Sequence, residues 1–180
     1  MTAGRFVAVV GPSGAGKDSI IAALTASRPD LHRVRRVITR PTGASGEDFD
    51  RVSPAQFEAR RDAGGFALWW AAHGLLYGIP VKVQDRLADG TDVLANLSRA
   101  QLLAASEVFP TLHILHITAP PDVLARRLAL RGRETADDIR ARLAREVALP
   151  EGLPVICVDN GGRLADSVAA ALAALYPDRA

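Results

Sequence analysis

The amino-acid sequence predicts an α/β fold, a mostly parallel sheet with helices packed on both faces. Three observations carry that expectation. Short apolar runs alternate along the chain with segments whose apolar residues recur at helical spacing. The runs are nearly continuous in apolar residues, the pattern of strands covered on both faces. The first run opens directly into a glycine-rich loop, and a helix follows it.

Each element can be justified in order. RFVAVV at 5–10 is β-branched and ends in glycine, a buried strand, and KDSIIAALTAS at 17–27 is the helix after the loop. RVITR at 36–40 is a second strand, followed by the polar loop RPTGASGEDFDR. In SPAQFEARRDAG at 53–64, Ser53 is an N-cap, and Pro54 occupies the first helical position, where its missing N–H is not needed. FALWWAA at 66–72 and LLYGIP flank a tight His73-Gly74 turn as two strands. VKVQDRLADG is a helix closed by Gly90, DVLANL at 92–97 a strand, SRAQLLAASEV a helix capped by Ser98, and TLHILHI at 111–117 a strand. PPDVLARRLALRG and ADDIRARLAREVAL are helices, PVICVDN a last buried strand, and RLADSVAAALAAL a last amphipathic helix. There is no internal repeat or linker, so one domain over 1–180 is expected, with the SPAQF-to-YGIP region as a small insertion over the sheet edge.

Composition narrows the function. The chain has 180 residues, 48% of them hydrophobic, enough for one compact domain and its core. A net charge of +2, despite a pI near 9.1, does not supply the concentrated basic face that nucleic-acid binding requires. No run of 18 apolar residues is present to span a membrane, and no basic region, apolar core and cleavage site occur in series, so the expected address is cytoplasmic. A single cysteine, Cys157, excludes an internal disulfide and a cysteine-rich zinc site; inside VICV it is expected to pack in the core.

The loop is Gly11-Pro12-Ser13-Gly14-Ala15-Gly16-Lys17-Asp18-Ser19. It matches the phosphate-binding pattern G-x-x-x-x-G-K-[ST] at every fixed position but the last. Its glycines let successive N–H groups turn toward phosphate oxygens, and the following helix adds the positive end of its dipole. Lys17, one of only two lysines in the chain, is placed to reach the β- and γ-phosphates of a nucleoside triphosphate. Asp18 stands where a hydroxyl usually meets magnesium; a carboxylate is also a hard-cation ligand, so Mg²⁺ is expected there. Ser19 is about 100° further round the helix and is a fallback ligand.

Phosphoryl transfer spreads negative charge over equatorial oxygens, and arginines commonly neutralise it. Arg131 and Arg133 flank Gly132 between two predicted helices, as in a lid that closes over phosphates, and Arg142 on the next helix faces the same space. Arg126 and Arg127 are expected at the surface. Arg40 ends a predicted strand near the carboxyl edge of the sheet, where open α/β folds bind ligands, and is a candidate grip for an acceptor phosphate. His32, His113 and His116 lack metal-ligand spacing and are expected in strand or surface roles. His73, in a turn, is a candidate for the acceptor pocket. Trp69 and Trp70 alternate faces of a strand, so at most one points into a site.

GPSGAGK, the strand ITR, Gly46-Glu47, VSPAQF, HGLLYG and RLALRGRE…RARLAR together resemble the guanylate kinase family over nearly the full length. The resemblance implies an ATP site at the loop, an arginine lid at about 130–142 and an acceptor-binding insertion at about 39–80. It also places Asn160 by the adenine or the neighbouring loop. The acceptor site departs from that family. Arg40 is kept, but a second arginine falls on Gly43 or Ala44, and a phosphate-binding tyrosine falls on Phe49. The guanine-reading glutamate falls on Leu68, and a guanine-contacting hydroxyl becomes Ile79, although Tyr77 is kept. A site built to hydrogen-bond a base cannot exchange those groups for aliphatic ones and keep its selectivity.

GKDS, Asn96-Leu97-Ser98-Arg99, LLYG and LRGRE are similar to a narrower family, the ribose 1,5-bisphosphate phosphokinases associated with phosphonate breakdown. Asp after the loop lysine is usual there. That resemblance implies transfer of the ATP γ-phosphoryl group to the 1-phosphate of ribose 1,5-bisphosphate, giving 5-phosphoribosyl 1-diphosphate and ADP. Lys17 and the loop would hold ATP, Asp18 would hold Mg²⁺, and Arg131, Arg133 and Arg142 would serve the transferring group. Arg40 and Tyr77 would hold one acceptor phosphate and Arg99 a second. The alternative is a guanylate kinase with a divergent acceptor site. A non-catalytic binding module is opposed by the intact loop lysine.

Overall fold

A computed structural model describes residues 2–41, 48–130, 132, 135–144 and 148–177. In chain order its first elements are β1 (Phe6–Val10), α1 (Lys17–Ser27), β2 (His32–Arg33), β3 (Val37–Ile38), β4 (Asp50–Arg51), α2 (Pro54–Asp62), β5 (Phe66–Ala72) and β6 (Leu75–Pro80). They are followed by α3 (Val83–Ala88), β7 (Val93–Asn96), a 3₁₀ turn (Arg99–Gln101), α4 (Leu102–Val108), β8 (Leu112–Thr118), α5 (Pro121–Leu130), α6 (Ala136–Ala144), β9 (Val155–Asp159) and α7 (Leu164–Leu175).

Five strands form a parallel sheet in the order β2-β7-β1-β8-β9. β1 lies at its centre, and all five of its residues are fully buried because both faces are covered. Phe6, Ala8 and Val10 face one core with α3, α4 and the smaller sheet, where the Phe6 ring stacks 3.9 Å from that of Phe109. Val7 and Val9 face the other core, built with Ile20, Ile21 and Leu24 of α1 and Val168, Ala171 and Leu175 of α7. Two-sided burial explains why FVAVV has no polar alternation. Among the described residues, no helix is long and apolar enough to cross a membrane.

The second sheet has four strands in the order β4-β3-β6-β5. β5 and β6 form the expected hairpin: His73 and Gly74 both adopt positive φ, 52° and 71°, which a two-residue hairpin turn requires. α2 begins with a full capping box. The Ser53 hydroxyl accepts from the Gln56 N–H, and the Gln56 side chain accepts from the Ser53 N–H.

Several expectations are corrected. RVITR lies in the smaller sheet as β3, while the outer strand of the central sheet is the two-residue β2, too short to carry a periodic signal. Ser98 makes no side-chain cap, because a 3₁₀ turn intervenes before α4. Cys157 is exposed rather than packed in the core, because β9 is the outermost strand.

Candidate active site

The glycine loop leaves the carboxyl end of β1 and closes on α1. Gly11 and Gly16 are obligatory on steric grounds. A Cβ at Gly11 would lie 2.2 Å from the Ile117 carbonyl oxygen, and one at Gly16 would lie 2.5 Å from Asn160 Nδ2. Gly16 also has φ 89° as the residue before α1. Lys17 is the first residue of that helix, and its Nζ donates to the carbonyls of Gly11 (3.0 Å) and Pro12 (3.2 Å), which holds the ammonium over the loop. Asp18 Oδ1 accepts a hydrogen bond from Asn96 Nδ2 at 3.2 Å, tying the head of α1 to the end of β7.

Behind the loop, Asn160 is buried at 4% exposure. Its Nδ2 donates to the Ala15 carbonyl at 2.8 Å, and its backbone N–H to Thr118 at 2.7 Å. Arg127 braces the same carbonyls, with Nη1 donating to Gly14 (3.2 Å) and Ala15 (3.4 Å) and Nη2 to the Asn160 carbonyl (2.7 Å). This corrects the expected surface role of Arg127. Only Arg126 is exposed, paired with Asp122 at 3.2 Å across one helical turn. A one-residue step around α5 sends these neighbours to different environments.

A cleft of about 850 Å³ opens in front of the loop. Gly11, Pro12, Ser13 and Lys17 line one part of it. The smaller sheet contributes Arg36, Arg40, Trp70, Ala72, His73 and Tyr77, and the end of β7 contributes Asn96 to Arg99. Gly14, Ala15, Gly16, Asp18, Ser19 and Asn160 are not part of that lining. Ser19 is exposed, and Gly14 and Ala15 are buried behind the loop. Arg40 sits 5.2 Å from the Phe49 ring centroid, so Phe49 supports the guanidinium. Trp70 stacks on Tyr77 at 5.4 Å with their rings 6° apart, while Trp69 on the opposite face is 44% exposed. Two other clefts, of about 670 and 520 Å³, contain no residue of the glycine loop.

Leu68 and Ile79 do not line the cleft, which corrects their placement as acceptor contacts. They pair across β5 and β6 at 8% and 0% exposure and pack into the core beneath the cleft, as apolar side chains on the inward face of a hairpin must. Arg131 and Arg133 lie outside the described residues, as do Gly43, Ala44, Gly46 and Glu47, and Arg142 is described only as part of the α6 backbone. Arg36 and His116 are cleft residues that sequence reasoning missed. Arg36 sits in the RVITR strand beside the singled-out Arg40, and the alternation of that strand was the available signal.

Among the described residues, no three His, Cys, Asp or Glu side chains cluster as a protein-only metal cage. A lone carboxylate at the head of α1, oriented by Asn96, instead suits Mg²⁺, which takes one or two carboxylates together with substrate phosphates.

Known proteins agree with this architecture. No family model matches the chain. The ribose 1,5-bisphosphate phosphokinase PhnN of a Ruegeria species is 50% identical over 179 residues, covering 98% of this chain and 94% of that protein. Proteins of the same name from Pseudomonas paraeruginosa and Agrobacterium fabrum are 47% and 48% identical; they cover 98% and 90% of this chain and 98% and 91% of their own lengths. Among solved structures, a guanylate kinase from Anaplasma phagocytophilum superposes with a TM-score of 0.71 at 15% identity, covering 99% of this chain and 88% of that one. A gluconokinase from Sinorhizobium meliloti reaches 0.56 at 20% identity, covering 97% and 92%. At such identities the structural likeness is one of fold, a P-loop kinase sheet with its surrounding helices. The sequence likeness goes further: half-identity over nearly the whole of both chains places this protein in the ribose 1,5-bisphosphate phosphokinase family.

Proposed function

We propose that the protein transfers the γ-phosphoryl group of ATP to the 1-phosphate of ribose 1,5-bisphosphate, releasing ADP and 5-phosphoribosyl 1-diphosphate. The observation that carries this reading is the lining of the cleft in front of the loop. It joins the loop lysine to Arg36, Arg40 and Arg99, while the positions that would read a base, Leu68 and Ile79, are aliphatic and buried beneath it. Such a lining suits an acceptor that is all phosphate and sugar.

In this reading Lys17 and the loop N–H groups hold the ATP phosphates, with Asn160 keeping the loop in shape from behind. Asp18 is the Mg²⁺ ligand; the ion, when bound, neutralises charge on the β- and γ-phosphate oxygens. Arg40, Tyr77 and Arg99 hold the acceptor, with His73 at the rim. Arg131, Arg133 and Arg142, from a lid spanning about 130–142, neutralise the transferring group. The nucleophile is a phosphate oxygen, already ionised near neutral pH, so no general base is required. Catalysis reduces to aligning two anions and offsetting their repulsion. The whole chain, 1–180, acts as one kinase unit with an acceptor insertion at about 39–80, working on small phosphorylated molecules in the cytoplasm rather than on nucleic acid or membranes.

The test is turnover with ATP and Mg²⁺ on two acceptors, ribose 1,5-bisphosphate and GMP. A kcat/KM for the bisphosphate at least about 100-fold above that for GMP supports the proposal; comparable values overturn it.

A further inference from the structure

Arg36 is a charged side chain buried to 8% exposure, yet it lines the cleft. Its position follows from the register of the smaller sheet. Ile38 pairs with Tyr77 and Tyr77 with Trp70, while Leu68 pairs with Ile79. Side chains alternate along a strand, so Arg36, Ile38 and Arg40 share a face. Extending the register by two residues brings Arg36 level with Ile79 and Leu68, one row deeper than Tyr77 and Trp70. The guanidinium carbon sits 5.4 Å from the Tyr77 ring centroid, and Trp70 stacks on the same ring at 5.4 Å.

The result is a fixed cation set against aromatic and aliphatic walls at a cleft surface. Arginine does not lose its proton at any working pH, and its planar fork of donors matches a phosphate bidentately. Low-dielectric walls behind it concentrate its field into the cleft. Arg36 and Arg40 flank β3 four residues apart, about 13 Å along an extended chain, so they offer separate seats to separate anions. Together with Arg99 they give the acceptor side more cationic groups than a single reacting phosphate needs.

We propose that Arg36 is the specificity-determining residue of the acceptor site, receiving the non-reacting 5-phosphate and thereby selecting a bisphosphorylated sugar over a monophosphorylated one. This rests on the acceptor assigned above. The experiment uses the full chain with ATP and Mg²⁺, and compares wild type with Arg36→Met and Arg36→Lys on ribose 1,5-bisphosphate and on α-ribose 1-phosphate. Inhibition by ribose 5-phosphate is measured alongside, and thermal melting serves as a fold control. Loss of charge-assisted hydrogen bonds predicts that Arg36→Met lowers kcat/KM for the bisphosphate about 100-fold while changing that for the monophosphate less than about 3-fold. The KM for ATP stays as in wild type, inhibition by ribose 5-phosphate is lost, and Arg36→Lys recovers part of the preference. Should Arg36→Met fail to fold, Arg36→Lys carries the test through a raised KM for the bisphosphate alone. Equal losses on both acceptors, or no loss on either, overturn the assignment of Arg36. A wild-type protein that does not phosphorylate ribose 1,5-bisphosphate overturns the acceptor assignment instead.

Discussion

Asn160→Ala tests how the phosphate loop is held. The side chain is 4% exposed and donates to the Ala15 carbonyl at 2.8 Å. Its backbone contacts, from Asn160 N–H to Thr118 and from Arg127 Nη2 to the Asn160 carbonyl, survive the substitution. What disappears is one buried hydrogen bond, and the Ala15 carbonyl is left with Arg127 Nη1 at 3.4 Å. Leaving a buried acceptor so poorly satisfied costs about 1–3 kcal/mol. In a domain of this size each kcal/mol lowers Tm by about 2–4 °C, so a loss near the middle of that range lowers Tm by about 4–8 °C. The same carbonyl belongs to the loop that would hold the triphosphate, so ATP should bind less tightly and raise Tm less in the variant than in wild type. The assay is thermal circular dichroism with and without ATP and Mg²⁺. A Tm within about 1 °C of wild type, together with an unchanged ATP-induced shift, refutes the claim that Asn160 supports the loop.

Other substitutions separate the remaining roles. Lys17→Ala should abolish turnover and leave the far-ultraviolet dichroism unchanged, since the ammonium donates to carbonyls of the loop and not to the helix or sheet backbone that the dichroism reads; retained turnover removes the loop from the mechanism. Asp18→Asn should raise the Mg²⁺ concentration needed for half-maximal activity by about 10-fold or more, whereas an unaltered Mg²⁺ dependence excludes Asp18 as a ligand. Stability should fall with acidification in two stages. Burial, reinforced by Arg86, holds His32 below its ordinary 6.5. The unfolded chain therefore takes up that proton first, and stability declines as pH drops below 6.5. Burial pushes the Asp92 carboxyl up, but hydrogen bonds from Arg5 and Tyr176 outweigh it and leave the group below 3.8. Its contribution is therefore present above 3.8 and is lost as pH falls further. His32→Gln should flatten the first stage in a Tm-against-pH series; an unchanged profile assigns that stage elsewhere.

The parts of this molecule that were legible in the sequence are those whose determinants are local. The strand, glycine loop and helix at 6–27 are contiguous, and so are the Ser53 capping box and the His73-Gly74 hairpin turn. What the sequence hid depends on where distant segments meet. Arg127 lies on a helix whose charge pattern looks solvated, and only the approach of α5 to a loop over a hundred residues away makes it a brace. Cys157 sits in an apolar run that looks like core, but the strand order leaves β9 at the edge. Arg36 looks like the polar flank of a strand until the antiparallel pairing with β6 turns its face toward the cleft. Leu68 and Ile79 fall where the family resemblance places acceptor contacts, but their row in the hairpin puts them under the cleft rather than in its lining.

The proposed acceptor of this P-loop kinase is a phosphosugar with no base to read. Its most direct test is a side-by-side measurement of kcat/KM for ribose 1,5-bisphosphate and GMP with saturating ATP and Mg²⁺. Formation of 5-phosphoribosyl 1-diphosphate is expected, with GMP phosphorylation lower by at least about 100-fold. Equal or faster phosphorylation of GMP would contradict it.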